Sequence, residues 1–152
     1  MSTNDENTLL ARSIIDANLY MVLGTADQDG RPWVSPVYYA HSEYREFFWV
    51  SAPKARHSRN LRVRPELAVV IFESSAGIGT GQAVYMSAVA REVPAGEGAS
   101  GLAVYSQRSV AHGGTEWTAT HITSPADLRL YQADALDHFI LGESDERVRV
   151  SP

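Results

Sequence analysis

The sequence predicts a mainly β, α+β fold: one domain built as a closed or nearly closed antiparallel β-barrel with small helices at its ends. Three observations carry this. Apolar runs of strand length recur along the chain, and most are joined by short polar or Gly-containing turns. The strongest turn, Asp27-Gln28-Asp29-Gly30, is a hairpin signal. Asp-Gly tolerates positive φ, and hairpins join antiparallel neighbours, whereas parallel strands need long crossovers. Finally, no Gly-rich dinucleotide fingerprint and no phosphate-binding P-loop occurs anywhere in the chain.

Residues Thr8 to Asn18 read as a first helix, with Leu9, Leu10, Ile14 and Ile15 on one face and Thr8 as its N-cap. Leu19 to Ala26 reads as a buried strand that turns at Asp27–Gly30 and returns as Arg31 to Ala40. Pro32 and Pro36 cannot donate ladder hydrogen bonds, so this strand belongs at an edge or a bulge, with backbone groups free to meet a ligand. A polar turn, His41 to Arg45, precedes a strand over Glu46 to Ala52. A short basic helix spans Ala55 to Val63 and ends before Pro65, because proline disfavours helix at the preceding residue. Glu66 to Ser74 is the clearest core strand, and Ala83 to Val93 follows after a Gly-rich loop. Pro94 to Ser100 is a linker to a helix near Gly101 to Val110. Ala111 to Pro125 lacks periodicity and reads as a long loop of the kind that often carries binding residues. Two strands, Asp127 to Ala135 and His138 to Leu141, and a terminal run, Arg147 to Val150, complete the chain, with no repeat or domain boundary within residues 1–152.

Composition narrows the chemistry. The absence of cysteine removes thiol catalysis, Cys-ligated metals and disulfides, and sits well with a reducing cytoplasm. The N-terminus has neither the basic start nor the apolar run of a secretory signal, and no stretch is apolar enough to span a membrane. A soluble, cytoplasmic protein with no membrane partner is expected. A net charge of −5 argues against nucleic-acid binding. Yet Lys54, Arg56, Arg59, Arg62 and Arg64 gather five of the thirteen cationic residues into one acid-free window, so the rest of the chain is twice as negative as the whole. Such a window suits a small anionic ligand; a solvated basic helix face is the alternative. The five histidines show no i, i+4 pairing and no HExxH motif, so no metal site is expected. Asp27, Asp29, Asp134 and Asp137 bracket turns, where Asp is expected for backbone reasons. Trp33, Tyr38, Tyr39, Trp49 and Tyr85 read as core aromatics of strands, whereas Trp117 stands in the long loop, either as a lid or as a docking anchor.

The segment from Val50 to Val70 carries the main signal. A strand runs into a short helix whose start holds Ser51, Lys54, Arg56, His57 and Ser58. Helix N-termini offer unpaired N–H groups and a positive dipole end, and Arg adds a planar fork for phosphate oxygens.

Taken in order, LGTADQDGRPWVSPVYYA and then FFWVSAPKARHSRNLRVRPELAVVIF resemble the pyridoxamine 5′-phosphate oxidase-like family of FMN-binding split barrels, over about Leu19 to Val93. In that family a helix of the form Lys-x-x-Asn-Leu, with a following Pro, leads into a core strand; here His57, Asn60, Leu61 and Pro65 stand at those positions. The resemblance implies a split antiparallel β-barrel that binds FMN at a homodimer interface. It puts Ser35, Pro36, Val37 and Tyr38 along the isoalloxazine and ribityl chain, and Val50 and Ser51 near the ribityl–phosphate end. It gives Arg56 and His57 to the phosphate with Lys54 close by, and makes Gln82 a contact supplied from the partner subunit. His57 replaces the family's usual lysine, and a nearby phosphate would favour its imidazolium form.

The activity so implied is flavin-dependent oxidation or reduction of a small molecule, the cofactor supplying the redox chemistry and the protein its setting. No catalytic residue is evident. The C-terminal part lacks the Trp and Arg pattern expected of a vitamin B6 enzyme. A deazaflavin, whose acidic tail would match the surplus of cations, is the alternative cofactor. A non-catalytic flavin- or haem-binding protein is the alternative function.

Overall fold

A computed structural model describes residues 1–152. Eight strands form one antiparallel sheet that curls into a half-barrel, in the order β2-β1-β5-β6-β7-β4-β3, with β8 pairing β7. These are β1 (Tyr20–Ala26), β2 (Pro32–Tyr38), β3 (Ala40–Ser42), β4 (Glu46–Ser51), β5 (Glu66–Phe72), β6 (Ala83–Glu92), β7 (Arg129–Leu141) and β8 (Arg147–Val150). Three helices join them: α1 (Thr3–Ala17), α2 (Arg56–Val63) and α3 (Ala99–Ala111). The curl brings edge strand β2 beside β4, but no ladder joins the two. The barrel is therefore split at the proline-bearing strand, which lies at an edge as its two prolines require.

The core is one cluster of 28 buried residues. Alternation along β4, β5 and β6 sends one face of each strand into it. Trp49, Tyr39 and Phe47 are among its most deeply buried side chains, each contributing about 1.5–3 kcal/mol by burial. Helix α1 packs its Ala11, Ile14 and Ile15 face against the sheet, and Tyr39 Oη donates to the Ile15 carbonyl at 2.6 Å. No helix is long and apolar enough to cross a membrane.

Several boundaries differ from the sequence reading, each for a physical reason. Helix α1 starts at Thr3 instead of Thr8. Ser2 is its N-cap, with Asp5 completing a capping box and Glu6 adding a second acid in the first turn. The expected turn at His41–Arg45 is narrower, because β3 continues the pairing to Ser42 and the reversal is made by Glu43 and Tyr44, both at positive φ. The two expected strands after Asp127 are one, β7. Its alternation breaks at a bulge: Ser87 pairs Asp137 and Ala88 pairs Ala135, so Leu136 is left over and points outward, 60% exposed. Helix α3 begins two residues early, at Ala99. The 111–125 segment is a long connection, as expected, with one 3-10 turn at Ala119–His121.

Candidate functional site

Two features meet at the split. The first is the start of α2. Its N-cap residue, Ala55, makes no side-chain capping bond, so the first-turn N–H groups are left to solvent or a ligand. Ser51 closes β4 just before it, and the Ser51 hydroxyl lies 2.9 Å from His57 Nε2. Both residues are buried. Burial pushes the His57 imidazole below its ordinary value near 6.5, so the free protein favours the neutral ring. Lys54 and Arg56 are exposed at the same end, and neither has a carboxylate partner within ion-pair distance. Arg56 instead lies over the indole of Trp33 on β2, 4.3 Å from the ring centroid. Trp33 is thus a surface residue, 41% exposed, and not the core aromatic its strand position suggested. The fixed charge at this end comes from Lys54 and Arg56, and His57 is held in place by Ser51.

Asn60 and Leu61 set the helix on the sheet. Leu61 enters the core, and Asn60 Nδ2 donates to Thr25 Oγ1 at 3.0 Å, a buried bond that ties α2 to β1. Arg64 donates to the carbonyls of Asp27 and Gln28, fixing the hairpin turn against the far end of the helix. Arg59 and Arg62 are exposed.

The second feature is an aromatic cleft of about 290 Å³ at the other end of β2, between the start of β1, α3 and the 112–117 loop. Tyr38, the last residue of β2, is its hinge. Its ring meets Tyr20 at 6.1 Å and Tyr105 at 5.6 Å, both edge-to-face, and Tyr105 in turn meets Trp117 at 5.6 Å. Burial raises the phenols of Tyr38 and Tyr105, the latter to about 12, so both remain protonated. The Val50 backbone offsets a small part of the rise at Tyr105. The Trp117 backbone N–H donates to Ser106 Oγ at 2.7 Å, which docks the loop on α3. Arg108 stands behind the cleft and donates to the carbonyls of Tyr39 and Asn18, each at 2.6 Å, and of Asp16 at 3.3 Å.

Of the residues the sequence singled out, the structure brings together Ser51 and His57, turns the adjacent Arg56 onto Trp33, and sets Tyr38 against Tyr105. Ser35 is half-buried and Pro36 exposed, while the Val37 side chain points into the core, leaving only its backbone to a ligand. Gln82 is separate. It precedes Ala83 at one end of β6, whereas Ser51 pairs Arg129 at the other end, where Tyr131 faces Glu92. Ten residues of strand, about 30 Å, lie between them, so one chain cannot bring Gln82 to the start of α2. Its amide oxygen is buried and unpartnered. Tyr105 and Arg108 had gone unnoticed; their i, i+3 spacing on α3 puts both near β2, but only the fold says which strand they face. No cluster of His, Asp or Glu has metal-binding geometry.

A family model for pyridoxamine 5′-phosphate oxidase matches residues 10–130. No curated protein sequence matches the chain. Solved structures similar in fold include the following three. A haem-binding protein from Mycobacterium smegmatis has a TM-score of 0.73 at 21% identity, over 93% of this chain and 56% of that protein, so this chain spans little more than half of it. A FAD-binding protein from Mesorhizobium loti has a TM-score of 0.62 at 20% identity, covering 87% of this chain and 90% of its own. An F420 reductase has a TM-score of 0.61 at 18% identity, covering 84% and 94%.

Proposed function

Because the chain belongs to the pyridoxamine 5′-phosphate oxidase family, we propose that it is a flavoprotein oxidoreductase that binds FMN across a homodimer interface and acts on a small organic molecule. One observation carries the reading. An uncapped helix start, flanked by the Ser51–His57 pair, presents Arg56 and Lys54 without an ion pair, although Asp27 and Asp29 share one hollow with Arg56. That donor set suits a phosphate monoester, with backbone N–H groups and charged side chains converging at a helix N-terminus.

In this reading Arg56, Lys54 and the first-turn amides hold the phosphate, and His57 is kept beside them by Ser51. Ser35, Pro36, Val37 and Tyr38 border the ribityl chain and ring from β2, with Val50 opposite. Gln82 of the partner subunit supplies a further contact, since the length of β6 keeps Gln82 away from the start of α2 in its own chain. A bound flavin supplies hydride and electron transfer. The protein binds and orients it, and keeps water from the face lined by Tyr38 and Tyr105.

The deciding experiment is the absorption spectrum of the purified protein, followed by titration with FMN if it is colourless. Bands near about 375 and 450 nm support the reading. A sharp, intense band near about 420 nm would instead mean haem. A colourless protein that does not take up FMN overturns it. The deazaflavin reading has its own support: all five cations between 54 and 64 lack an ion-pair partner, more positive charge than one phosphate needs. Tighter binding of deazaflavin than of FMN, with loss of that preference in Arg59→Ala, would favour it.

A further inference from the structure

We infer that the aromatic cleft beside β2 is the substrate site, and that it selects an uncharged, planar aromatic carbonyl compound of the quinone class. The inference rests on the flavin reading above and adds to it the identity of the molecule acted on.

The shape comes from the rings. Tyr20, Tyr38, Tyr105 and Trp117 line one cleft of about 290 Å³, enough for a one- or two-ring molecule. Tyr20 is 59% exposed, and Trp117 is only partly buried, so both have aromatic surface left for a flat partner. The position comes from Tyr38 and Tyr105. Tyr38 ends the strand assigned to the flavin, and Tyr105 packs edge-to-face on its ring at 5.6 Å. A molecule in the cleft therefore lies next to the proposed ring site.

The preference for an uncharged molecule comes from what the cleft lacks. No carboxylate lines it, and the one guanidinium behind it, Arg108, is committed to three backbone carbonyls. An anion would enter a partly dry cleft without a free counter-charge, which is unfavourable. The polar groups that remain are hydroxyls and the His112 ring. Tyr38 Oη lies 3.3 Å from His112 Nδ1, and Ser109 and Thr115 also line the cleft. Phenols held protonated by burial suit a carbonyl oxygen, which only accepts. Trp117 is the specificity residue: it comes from the loop rather than the barrel, docked by its backbone bond to Ser106 and by ring contacts with Tyr105 and His121.

The test uses the protein as purified. The probes are 2-methyl-1,4-naphthoquinone and 1,4-naphthoquinone-2-sulfonate, with affinities measured by equilibrium dialysis. We expect the uncharged quinone to bind saturably and at least tenfold more tightly than the sulfonate. Trp117→Ala should weaken it at least tenfold while FMN affinity changes less than twofold, and Trp117→Phe should restore most of the loss. Equal affinity for the two probes, absence of saturable binding, or an unaltered Trp117→Ala variant would overturn the inference. The absorption spectrum keeps the two readings apart. A flavin spectrum without quinone preference rejects only the substrate class. Selective quinone binding by a protein that takes up no flavin rejects the flavin and leaves the cleft as a quinone site.

Discussion

Replacing Arg56 by alanine separates a phosphate site from a solvated basic face. In the free protein the Arg56 guanidinium touches no acid and lies over the Trp33 ring at 4.3 Å. Losing that contact at an exposed site costs about 0.5–1 kcal/mol of stability. If the same guanidinium meets a phosphate, its charge-assisted hydrogen bond is worth about 1.5–3 kcal/mol, which is roughly a 10- to 150-fold loss in FMN affinity. Riboflavin has the same ring and ribityl chain but no phosphate, so its affinity should change less than about threefold. The variant must therefore remain folded, lose FMN strongly and keep riboflavin. Flavin fluorescence titration with both ligands reads this directly, and urea denaturation measures the stability change. Equal losses for FMN and riboflavin would refute the assignment, because the arginine would then act through the fold or through Trp33.

Other outcomes follow from the same geometry. Burial holds His57 and His138 below their ordinary value of 6.5, so below that pH the unfolded chain takes up protons that the folded chain refuses. Stability contributed by the neutral rings should be complete above about pH 6.5 and decline as pH falls through their folded values. Urea unfolding between about pH 6.5 and 5 checks this, and an undiminished slope in His57→Gln/His138→Gln would contradict it. If Gln82 serves the neighbouring subunit, light scattering should find a dimer, and Gln82→Ala should weaken FMN without dissociating it; a flavin-loaded monomer would end that idea. A Cβ at Gly101 would lie 2.6 Å from the buried Phe48 ring. Gly101→Ala should therefore destabilise the protein on thermal denaturation, since overpacking of about 1–3 kcal/mol outweighs the helix-propensity gain of about 1 kcal/mol.

Local chemistry alone determined much of this protein. The Asp27–Gly30 turn, the alternation of β5 and the stop before Pro65 depend on neighbours within a few residues, so a linear reading finds them. The same holds for the cationic window at 54–64 and for the edge position of β2, since proline lacks an N–H wherever it sits. What only the tertiary structure decided depends on partners distant in sequence. Leu136 is a bulge residue because β6 pairs on both sides of it, and no pattern within 127–141 reveals that. Trp33 is exposed because edge strand β2 leaves it for Arg56 to cover, although its strand position alone suggested core. His57 is buried, which favours its neutral ring, and sits beside Ser51 because α2 is pressed onto the sheet by Leu61 and Asn60, whereas the sequence offered only the prospect of a nearby phosphate favouring an imidazolium. Tyr105 and Arg108 gain their roles from strands more than fifty residues away. Gln82 is kept from the start of α2 by the length of β6. Residue type and spacing specify which groups are available, but side-chain burial and the direction of a strand set their ionisation and their neighbours, and those are properties of the folded sheet.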